Sequence, residues 1–583
     1  MALFRKLIRS ILLLVSIAVL GYGIVNGAIP ASPTDPPNDS IWLLSLAAAF
    51  PMLLGWAWLS IGGANLSGPY NKPSMDARFR RNVQQVGVSL LVGFALLTLH
   101  LLREQIVAAN SIKDTTVVTA SGAVIQDPRK VPAELRVRRG NIYTGSADMV
   151  IASTEVISPS RYAHRIYPEP NISYLAGYYN PTIYGSAGLE SSYDKYLSGS
   201  EVLNPLTEQQ RRILHRPVVG NDLHLTIVPA LQNVAQEALG NRKGAVVLLD
   251  AQSGAILAMA SWPHIDPQRL SFNPYLDDWG VENKRVIDYY QSVLNDPSRP
   301  LLLSATQGLY PPGSTFKTVS SGAAIDTNIA QPNTVYSDTK GTVQVEAGGY
   351  LHRDCSTCRP ANHGPTFSLA EGYKWSLNVV FAELGVQIGA NRMEEYAGRF
   401  GVGTRYDIGL PVEVSRLSSD SSELNSPNLL AATAYGQGKV QTTPLQMAMV
   451  AAVVAHGGDL PAPYLVSSVT DPDTGNAIYR FEPHTLQHVL SPQSNDTLRA
   501  MMLTSIESGW AHSAAIPGAV VGGKTGTAET GRGTSHSWFI GFAGRDAKRP
   551  QYAIATFVDE GGEGTRVALP LARTVLVAAL GQK

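Results

Sequence analysis

The sequence has little charge and very little cysteine for its length. Only 16% of its 583 residues are Asp, Glu, Lys or Arg, below the roughly 25% of soluble domains. Basic and acidic residues number 46 each, so the basic excess that accompanies nucleic-acid binding is missing. Two cysteines cannot supply a disulfide framework. The composition argues against a nucleic-acid partner and predicts a membrane part joined to domains with large packed cores.

Long uncharged apolar runs are concentrated in the first 105 residues. Residues 11–29 and 41–62 carry no charge, and 86–102 carries only a histidine. Each run has about the length of one helical bilayer crossing. A cleaved signal peptide followed by two buried core helices is the alternative, but three such runs this close together are rare in a soluble core. The sequence thus predicts a membrane region over 1–110 with three transmembrane helices.

Loop charges predict the orientation of these helices, because cytoplasmic loops carry the excess of Lys and Arg. The loop 30–40 contains neither residue. Basic residues lie before the first run and in the loop 64–85: Arg5, Lys6, Arg9, Lys72, Arg78, Arg80 and Arg81. We therefore expect a multi-pass protein of the cell membrane with a cytoplasmic N-terminus. Everything after about residue 105 is expected to be extracytoplasmic.

The rest of the chain changes character near residue 222. Residues 111–221 are rich in Gly, Ser, Tyr and Pro with short alternating runs, which predicts irregular β-structure. Residues 222–583 begin with strand patterns, continue with helical patterns over 315–455, and return to strand patterns at 519–523, 535–542 and 551–558. Strands at both ends of a domain predict an antiparallel sheet flanked by helices, in the α+β class.

The first candidate site motif is Ser314-Thr315-Phe316-Lys317. A Pro-Pro-Gly turn precedes Ser314 and an apolar helical pattern follows it. One helical turn therefore separates Ser314 from Lys317, on the same side of the helix. A serine is an effective nucleophile only when a base takes its proton, and a lysine is that base when burial or a neighbouring cation lowers its pKa. The same pattern at Ser192 and Lys195 lacks this context.

The second motif is Ser376-Leu377-Asn378, within the predicted helical segment 369–384. From a helix end, the hydroxyl can relay protons between base and leaving group, and the amide can hold a substrate carbonyl. Ser426-Pro427-Asn428 has the same form, but its proline and polar surroundings predict a loop.

The third motif, Lys524-Thr525-Gly526-Thr527, continues the strand pattern 519–523. Lys524 can bind a carboxylate and lower the pKa of Lys317. Gly526 lets a substrate backbone lie close to the strand. The Thr527 N–H can complete an oxyanion hole with that of Ser314. Three motifs in this order, each on a suitable element, predict a serine acyl-transfer site.

In this order the motifs resemble those of the penicillin-recognising serine enzymes. Other segments narrow the resemblance to class B penicillin-binding proteins, the monofunctional transpeptidases. They are 312–317 at the nucleophile, 435–438 and 443–446 at the start of a helix, and 139–142, 188–190, 193–194 and 197–199 in a region similar to the pedestal of that class. The sequence departs from the class by having three transmembrane helices where one is usual. It also lacks the Asp-Arg-x-Gly that usually follows Arg-Gly-x-Ile.

The resemblance implies a peptidoglycan D,D-transpeptidase without cofactor or metal, in three parts: the membrane region 1–110, a pedestal or dimerisation-like domain at 111–221 and a transpeptidase domain at 222–583. It implies that Ser314 is the acylated nucleophile and Lys317 its base. Ser376 and Asn378 would handle proton relay and substrate, and Lys524, Thr525 and Thr527 the terminal carboxylate and oxyanion. The implied partners are stem peptides ending in D-Ala-D-Ala, the β-lactams that mimic them, and a membrane-embedded glycosyltransferase.

Other functions share parts of this pattern. D,D-Carboxypeptidases and β-lactamases use the same acylation chemistry, and a membrane β-lactam sensor shares the acylation site. A sensor needs a cytoplasmic output, for which the loop 64–85 is too short. An inactive scaffold would not need Ser314, Lys317 and Lys524. Class A β-lactamases place a deacylating Glu in a Glu-x-x-x-Asn loop, and no Glu between Asn378 and Lys524 has an Asn four residues later.

His352, Cys355, Cys358 and His363 form a cluster ahead of the second motif. Their side chains are zinc-ligand types, but the spacing is not that of a strong metal site. In an extracytoplasmic domain a Cys355–Cys358 disulfide is the preferred interpretation, with zinc and free thiols as the alternatives.

Overall fold

The computed structural model describes residues 2–28, 39–61, 75–106, 117–118, 124–125, 134–145, 149–157, 162–200, 219–355, 358–360, 364–531 and 533–581. Two compact units make up the chain, Met1–Val131 and Pro132–Lys583.

Three long apolar helices form most of the first unit. They are Ala2–Gly23, continued by a π-helical turn at Ile24–Ala28, then Asp39–Ile61 and Met75–Ile106. All three are long and apolar enough to cross a membrane. A Cβ on Gly23 would lie 2.5 Å from Ser45 Cβ, so small residues let the first two helices approach closely. Trp42 Nε1 donates to His100 Nδ1 at 3.2 Å and connects the second and third helices.

Short strands and helical turns form the region between the three long helices and residue 222, which is residues 117–200 in the described part of the chain. The strands are Val117–Val118, Val124–Ile125, Ile142–Tyr143, Val150–Val156, Ala163–Ile166, Tyr178–Asn180 and Gly185–Ala187, and the helical turns are Pro170–Ser173, Tyr174–Ala176, Leu189–Ser192 and Asp194–Leu197. This confirms the predicted β-rich character.

A buried ion network holds this region together. Arg139 and Arg165 donate to opposite carboxylate oxygens of Glu190, at 3.0 Å and 2.6 Å, and all three side chains are buried. Burial alone would raise the pKa of Glu190, but the two arginines outweigh it and the pKa is lowered. Removal of either arginine would leave one oxygen of the buried Glu190 carboxylate without its ion-pair partner. The segments 139–142 and 188–190, noted above for their resemblance, are thus the two sides of one network.

The part of the chain from residue 222 onwards, predicted to be catalytic and called the catalytic part below, is built on a five-stranded antiparallel sheet. Its strands are β1 (Gly244–Asp250), β2 (Ile256–Trp262), β3 (Val520–Ala528), β4 (His536–Gly544) and β5 (Tyr552–Val558), in the order β2-β1-β5-β4-β3. The predicted hairpin at 244–261 and the C-terminal strands are confirmed. Strands from both ends of the domain meet in this sheet, because β1 pairs with β5.

Both faces of the sheet are buried under helices. The helices of the catalytic part are α1 (Pro229–Leu239), α2 (Trp279–Leu294), α3 (Ser304–Gln307), α4 (Lys317–Asp326), α5 (Leu369–Lys374), α6 (Asn378–Ile388), α7 (Ala390–Arg399), α8 (Pro427–Ala434), α9 (Pro444–Ala455), α10 (Pro492–Ser508) and α11 (Ala568–Gly581). α9 is buried along its whole length and packs on one face, with α1 and α11 on the other. Along β1, Val247 and Leu249 belong to the first core, Val246 and Leu248 to the second, the alternation expected of a strand.

Minor elements complete the catalytic part. The remaining strands are Asp222–Leu225, Val335–Ser337, Thr342–Gln344, Leu351–Arg353, Thr366–Ser368, Asp459–Pro461, Val466–Thr470, Ala477–Arg480 and Thr485–His488, and the 3₁₀ turns are Pro267–Arg269, Gly313–Phe316, Ser421–Asn425 and His512–Ala514. Asp222–Leu225 joins a second sheet of six strands that includes Ile142–Tyr143 and Val466–Thr470. This sheet takes strands from both sides of residue 222, so the three-part domain division stays a prediction.

Candidate active site

Ser314 lies in the 3₁₀ turn Gly313–Phe316, which leads directly into α4 at Lys317. The segment 435–438 packs against this turn and accepts a hydrogen bond from it. Gly313 N donates to Gly436 O at 2.9 Å, and a Cβ on Gly436 would lie 1.9 Å from Gly313 O. Gly436 also has φ 78°, a region that side chains other than glycine's avoid. The predicted helical spacing of Ser314 and Lys317 is therefore provided by a tighter 3₁₀ turn.

Lys317 is fully buried and its amine is held by the second motif. Lys317 Nζ donates to Ser376 O at 2.7 Å and to Asn378 Oδ1 at 2.8 Å, and Ser376 Oγ lies 3.4 Å away. The amide of Asn378 is oriented because its Nδ2 donates to Arg353 O at 2.9 Å. Burial first, and then the charge of Lys524, lower the pKa of Lys317 well below its usual value.

The hydrogen bonds of Lys317 define what its amine can do. A neutral amine has two N–H donors and one lone pair. Ser376 O and Asn378 Oδ1 are both acceptors, so they use the two donors of neutral Lys317. The lone pair is then left to accept a proton from a hydroxyl. A neutral Lys317 can therefore satisfy both of these acceptors and still offer the lone pair that a general base needs.

The second motif lies at a break between helices, which corrects the continuous helical segment 369–384 expected from the sequence. α5 ends at Lys374, α6 begins at Asn378, and Ser376 between them has φ 61°. Leu377 N donates to Gly372 O at 2.8 Å and closes the end of α5. The apolar pattern continues through the break because Leu377 is itself buried. The break turns the carbonyl of Ser376 towards Lys317 Nζ.

Lys524 lies within β3, where the third motif occupies the strand itself. Its Nζ donates to Ser376 Oγ at 2.8 Å and to Thr525 O at 2.9 Å. Burial lowers the pKa of Lys524 to about 7. Ser376 Oγ is thus placed between two lysine amines, as a proton relay requires.

The remaining third-motif residues lie along the same edge strand. Thr525 is buried and Thr527 is exposed. The Thr527 Oγ1 accepts from Gly564 N at 3.3 Å. A Cβ on Gly526 would lie 2.9 Å from Pro312 O, and one on Gly313 would lie 2.8 Å from Thr527 O. The glycines therefore let the nucleophile turn pack directly against β3. The structure brings all three motifs together from segments that lie far apart in the sequence.

The two decoy matches lie elsewhere. Ser192 and Lys195 belong to short helices in the region before residue 222, where the neighbouring Asp194 pairs with Arg139 at 2.6 Å. Ser426 is the N-cap of α8, with Pro427 in its first turn. The loop predicted at 426–428 is therefore wrong, because a proline is well tolerated at the start of a helix.

Sequence reasoning missed one residue of this site, Asp354. Its Oδ1 accepts from Val379 N at 3.0 Å in the first turn of α6, and its charge acts on the pKa of Lys317. Asp354 directly precedes Cys355, which forms a disulfide with Cys358. The sequence signal was the cysteine cluster, which was interpreted only for its sulfur and zinc chemistry. His363 of that cluster lies outside the described residues, and the described part of the chain contains no group of three or more metal-ligand side chains.

Similarity to known proteins identifies the family of this chain. The penicillin-binding protein transpeptidase domain matches residues 244–577. The peptidoglycan D,D-transpeptidase PbpA of Mycolicibacterium smegmatis is 31% identical, over 86% of this chain and 99% of that protein. The MrdA D,D-transpeptidase of Acinetobacter baumannii is 28% identical over 67% of this chain and 60% of its own length.

Solved structures agree in fold. Penicillin-binding protein A of Mycobacterium tuberculosis, as an imipenem acyl-enzyme complex, matches 77% of this chain and 99% of its own at 30% identity and a TM-score of 0.69. Penicillin-binding protein 2 of Pseudomonas aeruginosa matches 76% of this chain and 96% of its own at 25% identity, with a TM-score of 0.62. The three motifs on one edge of the antiparallel sheet lie within the matched region. The chain therefore belongs to the penicillin-binding protein transpeptidase family, in its class B.

Proposed function

We propose that this chain is a peptidoglycan D,D-transpeptidase that cross-links stem peptides through a serine acyl-enzyme, with Ser314 as nucleophile. The observation that carries the proposal is the buried Lys317, whose two acceptor partners leave its lone pair available. Lys317 takes the proton of Ser314 as Ser314 Oγ attacks the carbonyl of the penultimate D-Ala. The peptide bond breaks, terminal D-Ala leaves, and the acyl group stays on Ser314. The amine of a second stem peptide then attacks the ester and restores the serine.

Ser376 is the proton relay in this mechanism. Its Oγ lies 2.8 Å from Lys524 Nζ and 3.4 Å from Lys317 Nζ. The proton that Lys317 receives can thus pass to Ser376 and on to the amine of the leaving D-Ala. Asn378 has two tasks: its Oδ1 holds Lys317, and it borders the cleft where the substrate peptide lies.

The edge strand β3 binds the rest of the substrate. Lys524 and Thr525 attract the terminal carboxylate of the stem peptide, and Gly526 leaves room for its backbone. The N–H groups of Ser314 and Thr527 form the oxyanion hole, since the 3₁₀ turn and β3 are in direct contact. Several fixed donors aimed at one developing negative charge are the largest contribution to such reactions.

β-Lactams are bound at the same serine. Penicillin-binding protein A of Mycobacterium tuberculosis has been solved as imipenem, ceftriaxone and penicillin G acyl-enzymes. In this chain the corresponding adduct forms on Ser314. It is long-lived, because no Glu between Asn378 and Lys524 has the spacing that activates a water in class A β-lactamases.

The membrane region places the catalytic part outside the cell. Three helices long enough to span a bilayer, with basic residues before the first and between the second and third, favour a cytoplasmic N-terminus. The membrane helices then also offer a surface for a membrane-embedded glycosyltransferase that supplies new glycan strands. Residues 1–110, 111–221 and 222–583 form the membrane region, pedestal and transpeptidase domain.

The experiment that tests this function uses the full-length protein in detergent with a fluorescent penicillin. We expect one adduct per chain, mapped by peptide mass spectrometry to Ser314, and persistence of the adduct for minutes or longer by intact mass. Ser314→Ala should remove labelling with an unchanged melting temperature. Ser192→Ala, at the decoy motif, is the matched control and should be labelled normally. Labelling at another serine would overturn the assignment of Ser314, and rapid turnover of a chromogenic cephalosporin without an adduct would indicate a β-lactamase.

A further inference from the structure

Two buried carboxyl groups lie beside the catalytic motifs. Asp338 follows the strand Val335–Ser337 and Asp354 follows the strand Leu351–Arg353, and they are 1% and 9% exposed. One oxygen of each carboxyl group accepts hydrogen bonds from the protein. Asp338 Oδ1 accepts from Gly341 N at 2.8 Å and faces Arg359 Nη1 at 3.3 Å. Asp354 Oδ1 accepts from Val379 N at 3.0 Å.

The other oxygen of each carboxyl has no such partner. Asp338 Oδ2 and Asp354 Oδ2 are both buried, and neither accepts a hydrogen bond from a donor in the described part of the chain. Gly341 connects the two residues, because its N donates to Asp338 Oδ1 at 2.8 Å and its O accepts from Asp354 N at 3.0 Å. The carboxyl of Asp338 accordingly acts on the pKa of Asp354. Two ionised carboxylates in this position would repel, and each would keep an unsatisfied buried oxygen. One proton between the two Oδ2 atoms removes both costs.

We propose that Asp338 and Asp354 share one proton in a hydrogen bond, so that Asp354 is uncharged and Lys317 keeps its base form. Asp354 is then a positioning residue for the reaction. The inference rests on the proposed role of Lys317. Arg359 identifies the ionised partner, because its guanidinium donates to the carbonyl of Asp338 and pairs with its carboxylate. The proton therefore belongs to Asp354.

The electrostatics of the site support the assignment of the proton to Asp354 and of the negative charge to Asp338. Burial first, and then the hydrogen bond and charge of Asp338, raise the pKa of Asp354 to about 7. An ionised Asp354 would stabilise the charged form of Lys317, whereas a protonated one does not. The other charged groups that face these residues are Lys524, on the side of Lys317, and Arg359 and Glu383, on the side of Asp338.

The pair also positions the second motif mechanically. Asp354 Oδ1 accepts a hydrogen bond from Val379 N. The carbonyl oxygen of the preceding Arg353 accepts one from Asn378 Nδ2. Asn378 Oδ1 in turn accepts from Lys317. A substitution here must keep these hydrogen bonds if only the charge is to be tested. Asn replaces Asp in both positions with the same shape and still accepts through Oδ1.

The test is the pH dependence of Ser314 acylation by penicillin in the full-length protein. In Asp338→Asn, the new amide donates to Asp354 and leaves it ionised, so Lys317 holds its proton more tightly. The midpoint of the acid side of the profile should then move to higher pH by roughly one unit or more. In Asp354→Asn no charge can form next to Lys317, so the midpoint should stay or move to lower pH. Asp326→Asn is the control, since Asp326 accepts from Ser491 and Tyr396 instead.

The outcomes separate a charge effect from a structural one. A loss of rate at every pH with unmoved midpoints, or midpoints that move upward in both Asp338→Asn and Asp354→Asn, would overturn the proposal. Asp326→Asn should lower the melting temperature without moving the midpoint.

A second measurement does not depend on the enzyme's activity. The infrared difference spectrum between the wild-type chain and Asp354→Asn should contain the C=O band of a protonated carboxylic acid, which disappears as the pH rises through about 7. If Ser314 were not acylated, the proposed function would fail while this band still reported the pair. Absence of the band, or one equivalent of a divalent metal in the purified chain, would overturn the shared proton, because a cation would then hold the two carboxylates together.

Discussion

At the scale of single residues, the site depends on two lysines that are buried against their ordinary preference. Lysine is almost never fully buried unless paired, and neither amine has a carboxylate as a hydrogen-bond partner in the described part of the chain. Each is held instead by carbonyl and hydroxyl oxygens. The cost of burying the charged form is what lowers their pKa values. The two lysines differ in their surroundings, because burial and then the charge of Lys524 lower the pKa of Lys317, whereas burial lowers that of Lys524.

Lys317→Arg should abolish acylation of Ser314 by penicillin. The guanidinium keeps a positive charge but cannot lose its proton at working pH, so no base remains. Labelling should fall by at least about a hundredfold, in line with the loss of a general base. The control is Lys374→Arg, at the partly exposed end of α5, which should leave labelling unchanged. Full labelling of the Lys317→Arg chain would exclude Lys317 as the base.

Lys524→Met should stabilise the protein, and more so at low pH. The folded-state pKa of Lys524 is about 7 and that of an unfolded lysine is about 10.4. Between these values the unfolded state binds more protons, so the wild type loses stability as the pH falls from about 10 to 7. The free energy of unfolding gained by Lys524→Met should thus be larger at pH 6 than at pH 9 by roughly 2–3 kcal/mol.

Urea denaturation of the full-length chain at the two pH values measures this difference. Lys284→Met is the control, because Lys284 is exposed and pairs only with Asp288. A pH-independent effect of Lys524→Met would mean that folding does not lower the pKa of Lys524.

At the scale of elements, the second motif depends on the break between two consecutive helices. α5 begins with a capping box in which Ser368 and Glu371 satisfy each other's backbone N–H groups. It ends after six residues, and α6 begins at Asn378 after the break. A Cβ on Gly372 would lie 2.6 Å from Val380 Cγ1. Gly372 therefore determines how closely α6 approaches, and with it the position of Ser376 and Asn378 relative to Lys317.

Gly372→Ala should slow acylation and destabilise the fold by about 1–3 kcal/mol, the usual cost of overpacking. The added methyl group would push α6 outward and lengthen the contacts of Lys317 with the second motif. Val380→Ala removes the atoms that clash, so the double variant Gly372→Ala/Val380→Ala should recover much of the lost rate. Gly398→Ala is the control, because a Cβ there meets open space. An undiminished rate in Gly372→Ala would show that the break tolerates a wider angle.

At the scale of the whole molecule, the chain combines a unit of three apolar helices, each long enough to cross a membrane, with a transpeptidase domain. The first unit exposes large apolar side chains such as Leu14, Leu44 and Leu91, which suits a lipid environment. The second unit instead buries its apolar residues in two cores on either face of the five-stranded sheet.

The orientation of the membrane unit is tested by alkaline-phosphatase fusions. Fusions after residue 35 and after residue 110 should be active, because the enzyme is active only outside the cytoplasm, and a fusion after residue 75 should be inactive. All fusion proteins should be present at equal amounts by immunoblot. Activity of the fusion after residue 75 would contradict the three-helix topology.

The sequence by itself determined the properties that depend on local pattern. Hydrophobic runs of bilayer length, the helix Pro229–Leu239 and the strands of the central sheet follow from periodicity and turn residues, which act over a few positions. The three motifs and their order could also be identified, because the residues of each motif are neighbours in the sequence. The family resemblance followed from them.

Only the tertiary structure decided how these pieces meet. The sequence pattern did not predict the break at Ser376. Leu377 is buried by tertiary contacts, so the helical spacing of apolar residues continues across the break. The orientation of Asn378 depends on Arg353, which lies 25 residues away in the chain. The lowered pKa of Lys317 depends in part on the charge of Lys524, which lies 207 residues away. The role proposed for Asp338 and Asp354 depends on folding, which buries both carboxyl groups beside the second motif. A pKa is set by the surroundings in space, and those surroundings come from the packing of distant segments.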